Sequence, residues 1–154
     1  MKTAKDLYGT SARAEVEGAI LDCGGFWIQL ARAGGSNREY QRELEKALRP
    51  HRLLIEQERF TNEMAEQIIM EVYSRTVVKA WGHSREVPSL DDPGEAVTVE
   101  DPTFPLEEGV NLPLTPENAL RVFQALPDLF QDCQKFAGKP TVFRAALEAM
   151  KGNS

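Results

Sequence analysis

Apolar residues recur every four positions between Thr61 and Trp81. A step of four residues returns to nearly the same face of an α-helix. Thr61 is a suitable N-cap, and Gly82 is suited to end a helix. We therefore predict one long helix over residues 61–81, with a broad apolar stripe that packs on more than one neighbour. Two adjacent rows form the stripe: Met64, Ile68, Val72 and Ala80, and Ala65, Ile69, Tyr73, Val77 and Trp81.

Residues 15–33, before this helix, are typical of a β-hairpin. Gly24-Gly25 separates one run that ends at Asp22 from a second run that begins at Phe26, and both runs carry β-branched or aromatic residues. Because a lone hairpin is marginally stable in water, we expect it to pack on the helices or to pair with another chain. Residues 1–14 show no clear pattern and are predicted to be flexible.

The segment 36–81 is predicted to be the helical core. Ser36 or Asn37 begins a helix that runs to about Arg49, where Pro50 breaks or kinks it. A short helix after Pro50 then leads to the long helix.

Residues 82–113 are rich in proline, glycine and acidic residues, which predicts an acidic loop. A short strand from Ala96 to Val99 is possible inside it. Three short helices are predicted over residues 114–151, and each begins at a proline: Pro116, Pro127 and Pro140. These patterns predict a single domain over residues 1–154, mainly α with a small N-terminal β-hairpin (α+β), built on the long central helix 61–81.

The charge of the chain is unevenly distributed. The net charge is −6, and residues 86–117 contain no Lys or Arg. Nucleic acid is disfavoured as a partner, because phosphate binding needs a basic face. The acidic segment is either solvated or steers a basic partner. No apolar run reaches the roughly 20 residues of a membrane span, so we expect no membrane partner. Two cysteines fit a reducing cytoplasm.

No residue constellation supports catalysis, so we expect no enzymatic activity and no cofactor. Cys23, His51, His83 and Cys133 lack the closely spaced pairs of a structural zinc site, and we expect no metal. The Gly-Gly pairs lack the Lys and Ser or Thr of a phosphate loop.

An ordered set of short phrases carries a resemblance to a known family. The chain resembles the tail assembly chaperones of long-tailed (siphovirus and myovirus-like) bacteriophages over about residues 15–150. The phrases are Ala31-Arg32-Ala33-Gly34-Gly35-Ser36-Asn37, Leu48-Arg49-Pro50, Thr76-Val77-Val78-Lys79-Ala80-Trp81, Leu114-Thr115-Pro116-Glu117-Asn118-Ala119 and Leu126-Pro127-Asp128-Leu129-Phe130.

The resemblance implies a non-enzymatic function in the cytoplasm of the host bacterium. Such chaperones bind the tape measure protein, keep it soluble, promote assembly of the tail tube and are absent from the finished virion. A longer, frameshifted form is implied to contact the tail tube protein, and we expect a homo-oligomer. The rival interpretation is a structural tail completion or connector component that remains in the particle.

Three groups of residues are candidates for partner binding. Each phenylalanine of the second group is individually more typical of a core residue. The groups are Phe26, Trp27 and Ile28 of the hairpin, Phe123, Phe130 and Phe143 of the last helices, and Asp91, Asp92, Glu107 and Glu108 of the acidic segment.

Overall fold

The structure is a computed structural model that describes the backbone of residues 1–152 and the side chains of residues 1–149. The helices are α1 (Ala4–Tyr8), α2 (Ala12–Glu17), α3 (Arg38–Leu48), α4 (Arg52–Glu56), α5 (Asn62–Thr76), α6 (Pro116–Ala125), α7 (Pro127–Ala137) and α8 (Pro140–Gly152). A 3-10 turn, Arg49–His51, joins α3 to α4. The strands are β1 (Ala19–Asp22), β2 (Trp27–Leu30), β3 (Val78–Pro88), β4 (Ala96–Asp101), β5 (Thr103–Glu107) and β6 (Val110–Pro113).

The strands form two antiparallel sheets. The larger sheet has the order β1-β2-β3-β4, and β5 pairs with β6 in a second, two-stranded sheet. The predicted N-terminal hairpin is therefore only half of a four-stranded sheet, because the outer edge of β2 pairs with β3. The prediction of a mainly α chain with a small hairpin is wrong, and the fold is an α+β fold with a substantial sheet.

The long helix is shorter than predicted. It begins at Asn62, after the N-cap Thr61, but ends at Thr76, and the chain enters β3 at Val78. Trp81 is a strand residue that faces Ile28 of β2 across the sheet. Val77 and Val78 are β-branched, which favours the strand. The decisive factor is pairing with β2, almost fifty positions earlier, which no four-residue spacing can reveal.

The prediction of an acidic loop over residues 82–113 is also wrong. This segment contains the second half of β3 together with β4, β5 and β6. The suggested strand at Ala96 is present and extends to Asp101. The prolines are compatible with strands because Pro88 and Pro113 end β3 and β6, and Pro105 adjoins a register shift in β5.

The remaining helices follow the proline and capping signals more closely. The helices α6, α7 and α8 begin at Pro116, Pro127 and Pro140, as predicted. Residues 1–14, predicted to be flexible, instead contain α1 and the first part of α2, whose N-caps are Thr3 and Ser11. The backbone amide of Ser11 donates to the carbonyl of Phe143, which ties this segment to α8 (3.0 Å).

The core lies between the larger sheet and the helices α5, α6 and α7. Trp81 is buried in it, and its indole Nε1 donates to the carbonyl of Leu112 at 3.0 Å, which links β3 to β6. Its ring packs on that of Phe104, and the ring of Phe130 packs on those of Tyr73 and Phe123. No helix among the described residues is long and apolar enough to span a membrane.

Candidate peptide-binding groove

An open groove lies between the β1–β2 hairpin and the helices α7 and α8, with a volume of about 560 Å³. Its floor is apolar and only partly buried in the chain. The hairpin supplies two of the floor residues and the helices supply the others: Leu21, Phe26, Leu129, Phe136 and Val142.

Helical periodicity explains how α7 serves both the core and the groove. One row of residues, Phe130, Cys133 and Ala137, is fully buried in the core. The adjacent row places Leu129 and Phe136, seven positions apart, on the groove side. A helix with two adjacent apolar rows needs two packing partners, and here the second row is only partly covered by the rest of the chain.

The hairpin residues reach the floor through strand alternation and the Gly24-Gly25 turn. Leu21 shares the inward face of β1, whereas Ile20 points outward and is exposed. Phe26 follows the turn, and its ring meets that of buried Phe104 edge-on at a centroid distance of 4.7 Å. The aromatic floor of the groove is therefore anchored to the core.

Charged side chains of both signs surround this floor. The acidic residues of the rim are Asp22, Asp128 and Asp132, and the basic ones are Lys135 and Lys139. An apolar floor within a mixed polar rim is the arrangement that accepts the apolar face of an amphipathic helix.

Cys23 lines the groove and Cys133 is buried in the core beside it, and neither thiol is activated. Burial raises the pKa of Cys133 to about 12, and neighbouring Cys23 and Asp132 add to the shift. Burial also raises the pKa of Cys23, with further contributions from Asp22 and Asp132. Both thiols are therefore neutral and weakly nucleophilic at neutral pH. Among residues 1–149, no cluster of three His, Cys, Asp or Glu side chains could hold a metal ion.

A buried polar cluster fixes the loop between β2 and α3. The carboxylate of Glu15 is ion-paired with Arg32 and accepts hydrogen bonds from the hydroxyls of Thr10 (2.7 Å) and Ser36 (3.2 Å). Burial alone would raise the pKa of Glu15, but the hydrogen bonds and the guanidinium charge outweigh it, so the pKa lies below its ordinary value. The side-chain amide of Asn37 donates to the carbonyls of Arg32 (2.9 Å) and Thr76 (3.1 Å). The phrase Ala31 to Asn37 therefore has a structural role.

The structure separates the residues predicted to bind a partner. Only Phe26 lies on the groove floor, whereas Trp27 lies partly exposed on the outer face of the sheet, against Gly82. The other apolar candidates, Ile28, Phe123, Phe130 and Phe143, are at most 1% exposed and belong to the core. A partner cannot reach them in this structure.

The acidic candidates are exposed but do not form one site. Asp91 and Asp92 lie in the turn between β3 and β4, whereas Glu107 and Glu108 lie at the turn between β5 and β6. Leu21, Leu129 and Val142 are not among the residues predicted from the sequence to bind a partner. The seven-residue spacing of Leu129 and Phe136 beside a second apolar row was the signal that could have found this surface.

The comparison with protein families gives a match. The profile of the YdaY prophage protein family matches residues 35–153, which includes the α7 and α8 side of the groove but not the hairpin. No curated protein and no solved structure matches the chain. Since the match covers far more than half of the sequence, the chain belongs to the YdaY prophage protein family and is a phage-derived protein.

Proposed function

We propose that this prophage protein is a non-enzymatic tail assembly chaperone that binds a helical segment of the tape measure protein in the groove. The observation that supports the proposal is the partly exposed apolar floor formed by Leu21, Phe26, Leu129 and Phe136 within a charged rim. Such a surface binds through shape and apolar contact and needs no nucleotide or metal.

The properties of the tape measure protein, the client of the proposed chaperone, explain why a protein that binds it is needed. A tape measure protein is long and mostly helical, and before assembly its helices expose apolar stripes that would aggregate. A groove that covers part of one stripe removes that surface from water, at roughly 25 cal/mol for each Å² of apolar area buried. Release is then favoured when tube subunits cover the same stripe. The chaperone therefore leaves before the tail is complete.

The resemblance to tail assembly chaperones adds to this proposal, and family membership is consistent with a phage function. The rival is a structural tail completion or connector component that stays in the particle. The two differ in one observable, since a chaperone is present in lysates and absent from purified virions, whereas a structural component is present in both.

A charge inserted in the groove floor tests the proposal. Leu129→Glu should abolish soluble recovery of the tape measure protein when the two proteins are co-expressed, because a buried carboxylate would face the apolar stripe of the client. The wild-type chain should co-purify with its client in a pull-down. Retention at both low and high salt is expected, because apolar contact is not screened by ions.

The matched control is Leu53→Glu on α4, which makes the same chemical change at a leucine that is already 63% exposed. This variant should retain the client. If the wild-type chain never co-purifies with the tape measure protein and is found in purified virions, the chaperone proposal is wrong and the structural component replaces it. If both leucine variants retain the client, the groove is not its binding site.

A further inference from the structure

Nearly all of the net charge of the chain sits on one projecting feature. The acidic ribbon, defined here as residues 83–101, contains six acidic residues and one basic residue, so its net charge is −5 of the −6 carried by the whole chain. The ribbon consists of the second half of β3, the turn after Pro88, and β4.

The ribbon is an ordered hairpin rather than a loose loop. Six residue pairs are in register, from His83–Asp101 to Pro88–Ala96. The turn is closed by the backbone amide of Ser89, which donates to the carbonyl of Glu95 at 2.9 Å. Leu90 at the tip is fully exposed. The acidic side chains are therefore presented at fixed positions.

Strand alternation sorts the charges between the two faces of the ribbon. The register Ser84–Glu100 and Glu86–Thr98 places both glutamates on one face. The opposite face carries three valines, Val87, Val97 and Val99, together with the Arg85–Asp101 ion pair (2.9 Å). One face is therefore acidic without a compensating base.

A complementary basic surface lies on α3. Arg38, Arg42, Lys46 and Arg49 follow one another at intervals of four, four and three residues, and all four are exposed. This spacing places them on one face of the helix, which we call the basic stripe.

None of the ion pairs within the described part of the molecule, which are Arg13–Glu17, Arg32–Glu15 and Arg85–Asp101, involves the basic stripe. Glu39, Glu43 and Glu45 of α3 lie three or four residues from its bases and offset part of its charge. The basic stripe and the acidic ribbon also have similar lengths. Eleven residues of α3 span about 16 Å, and six residue pairs of a ribbon span about 20 Å.

We propose that the acidic ribbon of one copy binds the basic stripe of a second copy, head to tail. The two surfaces are different patches of the same chain, so the contact is heterologous and can continue from copy to copy, as a ring or an open chain. The contact leaves the groove between the hairpin and α7 free. It is independent of the proposed function and would hold for a structural component as well.

The test is sedimentation velocity at micromolar concentration with two charge-reversed variants. The stripe variant carries Arg38→Glu and Arg42→Glu, and the ribbon variant carries Glu86→Lys and Glu95→Lys. The wild-type chain should sediment as an assembly at low salt, with an apparent Kd at least about tenfold weaker at high salt. Each variant alone should sediment as a monomer. An equimolar mixture of the two should associate again, because each reversed surface then meets an opposite charge.

The matched control carries Glu107→Lys and Glu108→Lys, which changes the net charge by the same amount as the ribbon variant at exposed positions outside the ribbon. This control should associate like the wild-type chain. The proposal is overturned if the wild-type chain is a monomer at low salt, if the control loses association equally, or if the mixture of the two variants stays monomeric.

Discussion

Glu15 shows how much of the structure depends on single residues. Its carboxylate is 2% exposed and holds the loop before α3 through Arg32, Thr10 and Ser36. Gly35 has a φ of +52°, and a Cβ atom there would clash with Oε2 of Glu15. The sequence could not predict this cluster, because Glu15 begins the segment that was predicted to be a hairpin and its partners lie up to 21 positions away.

Removing the partner of this buried carboxylate should destabilise the fold. We expect Arg32→Met to lower the free energy of unfolding by about 3 kcal/mol, since it leaves a buried charge without its counter-ion. Arg13→Met is the control, because the side chains of the Arg13–Glu17 pair are 72% and 58% exposed, and its loss should cost less than about 1 kcal/mol. Urea unfolding measures both values. Equal losses for the two variants would contradict a structural role for the cluster.

The same cluster predicts a pH dependence with a defined sign. The pKa of Glu15 is lower in the folded chain than its ordinary value of 4.5. The stabilisation is therefore fully present above pH 4.5 and is lost as the pH falls through the folded pKa. The difference in unfolding free energy between the wild-type chain and Glu15→Gln should shrink on acidification below that pH. A difference that stays constant down to pH 2 would contradict the lowered pKa.

The secondary-structure elements divide into those with local signals and those without. The helices α6, α7 and α8 were predictable because proline marks each start, and α5 because Thr61 caps it. The strands β3, β5 and β6 were missed, and β4 was suggested only over Ala96 to Val99, because the stability of these strands comes from pairing across the chain. Three of the prolines that suggested a loop, Pro88, Pro105 and Pro113, lie at strand ends or beside a register shift, where the missing N–H costs little.

A substitution of Gly82 tests whether the chain after α5 is a strand, as in the structure, rather than the end of a helix, as predicted. Gly82 lies inside β3, and a Cβ atom there would lie 2.7 Å from the carbonyl oxygen of Asp101 and 2.8 Å from Cζ2 of Trp27. Gly82→Ala should therefore destabilise the fold by roughly 1–3 kcal/mol through overpacking.

Gly25→Ala is the matched control, because a Cβ atom at Gly25 has no neighbour within 4 Å. Its effect on the unfolding free energy should stay within about 0.5 kcal/mol, as for ordinary surface substitutions. Thermal or urea unfolding of the two alanine variants measures the contrast. Similar stability of both would show that β3 does not pack against Trp27 and Asp101 as described.

The whole molecule presents three surfaces that differ in chemistry: the apolar groove, the acidic ribbon and the basic stripe of α3. The sequence predicted that the chain acts by binding, through its candidate aromatic residues and its acidic segment. It could not show which phenylalanines reach the surface. Phe26 and Phe136 line the groove, whereas Phe123, Phe130 and Phe143 fill the core. For Phe130 and Phe136, which share α7, the division depends on how that helix is rotated between two neighbours.

The central claim is that a helix of the tape measure protein occupies the groove, and site-specific photo-crosslinking tests it most directly. A benzophenone analogue of phenylalanine replaces Phe136 on the groove floor, and the same analogue replaces Tyr8, which is 78% exposed on α1, as the control. Both variants are co-expressed with the tape measure protein and irradiated. We predict a covalent product with the tape measure protein from position 136 and none from position 8. A co-purifying client that forms no product from position 136, or as much from position 8, would contradict the account.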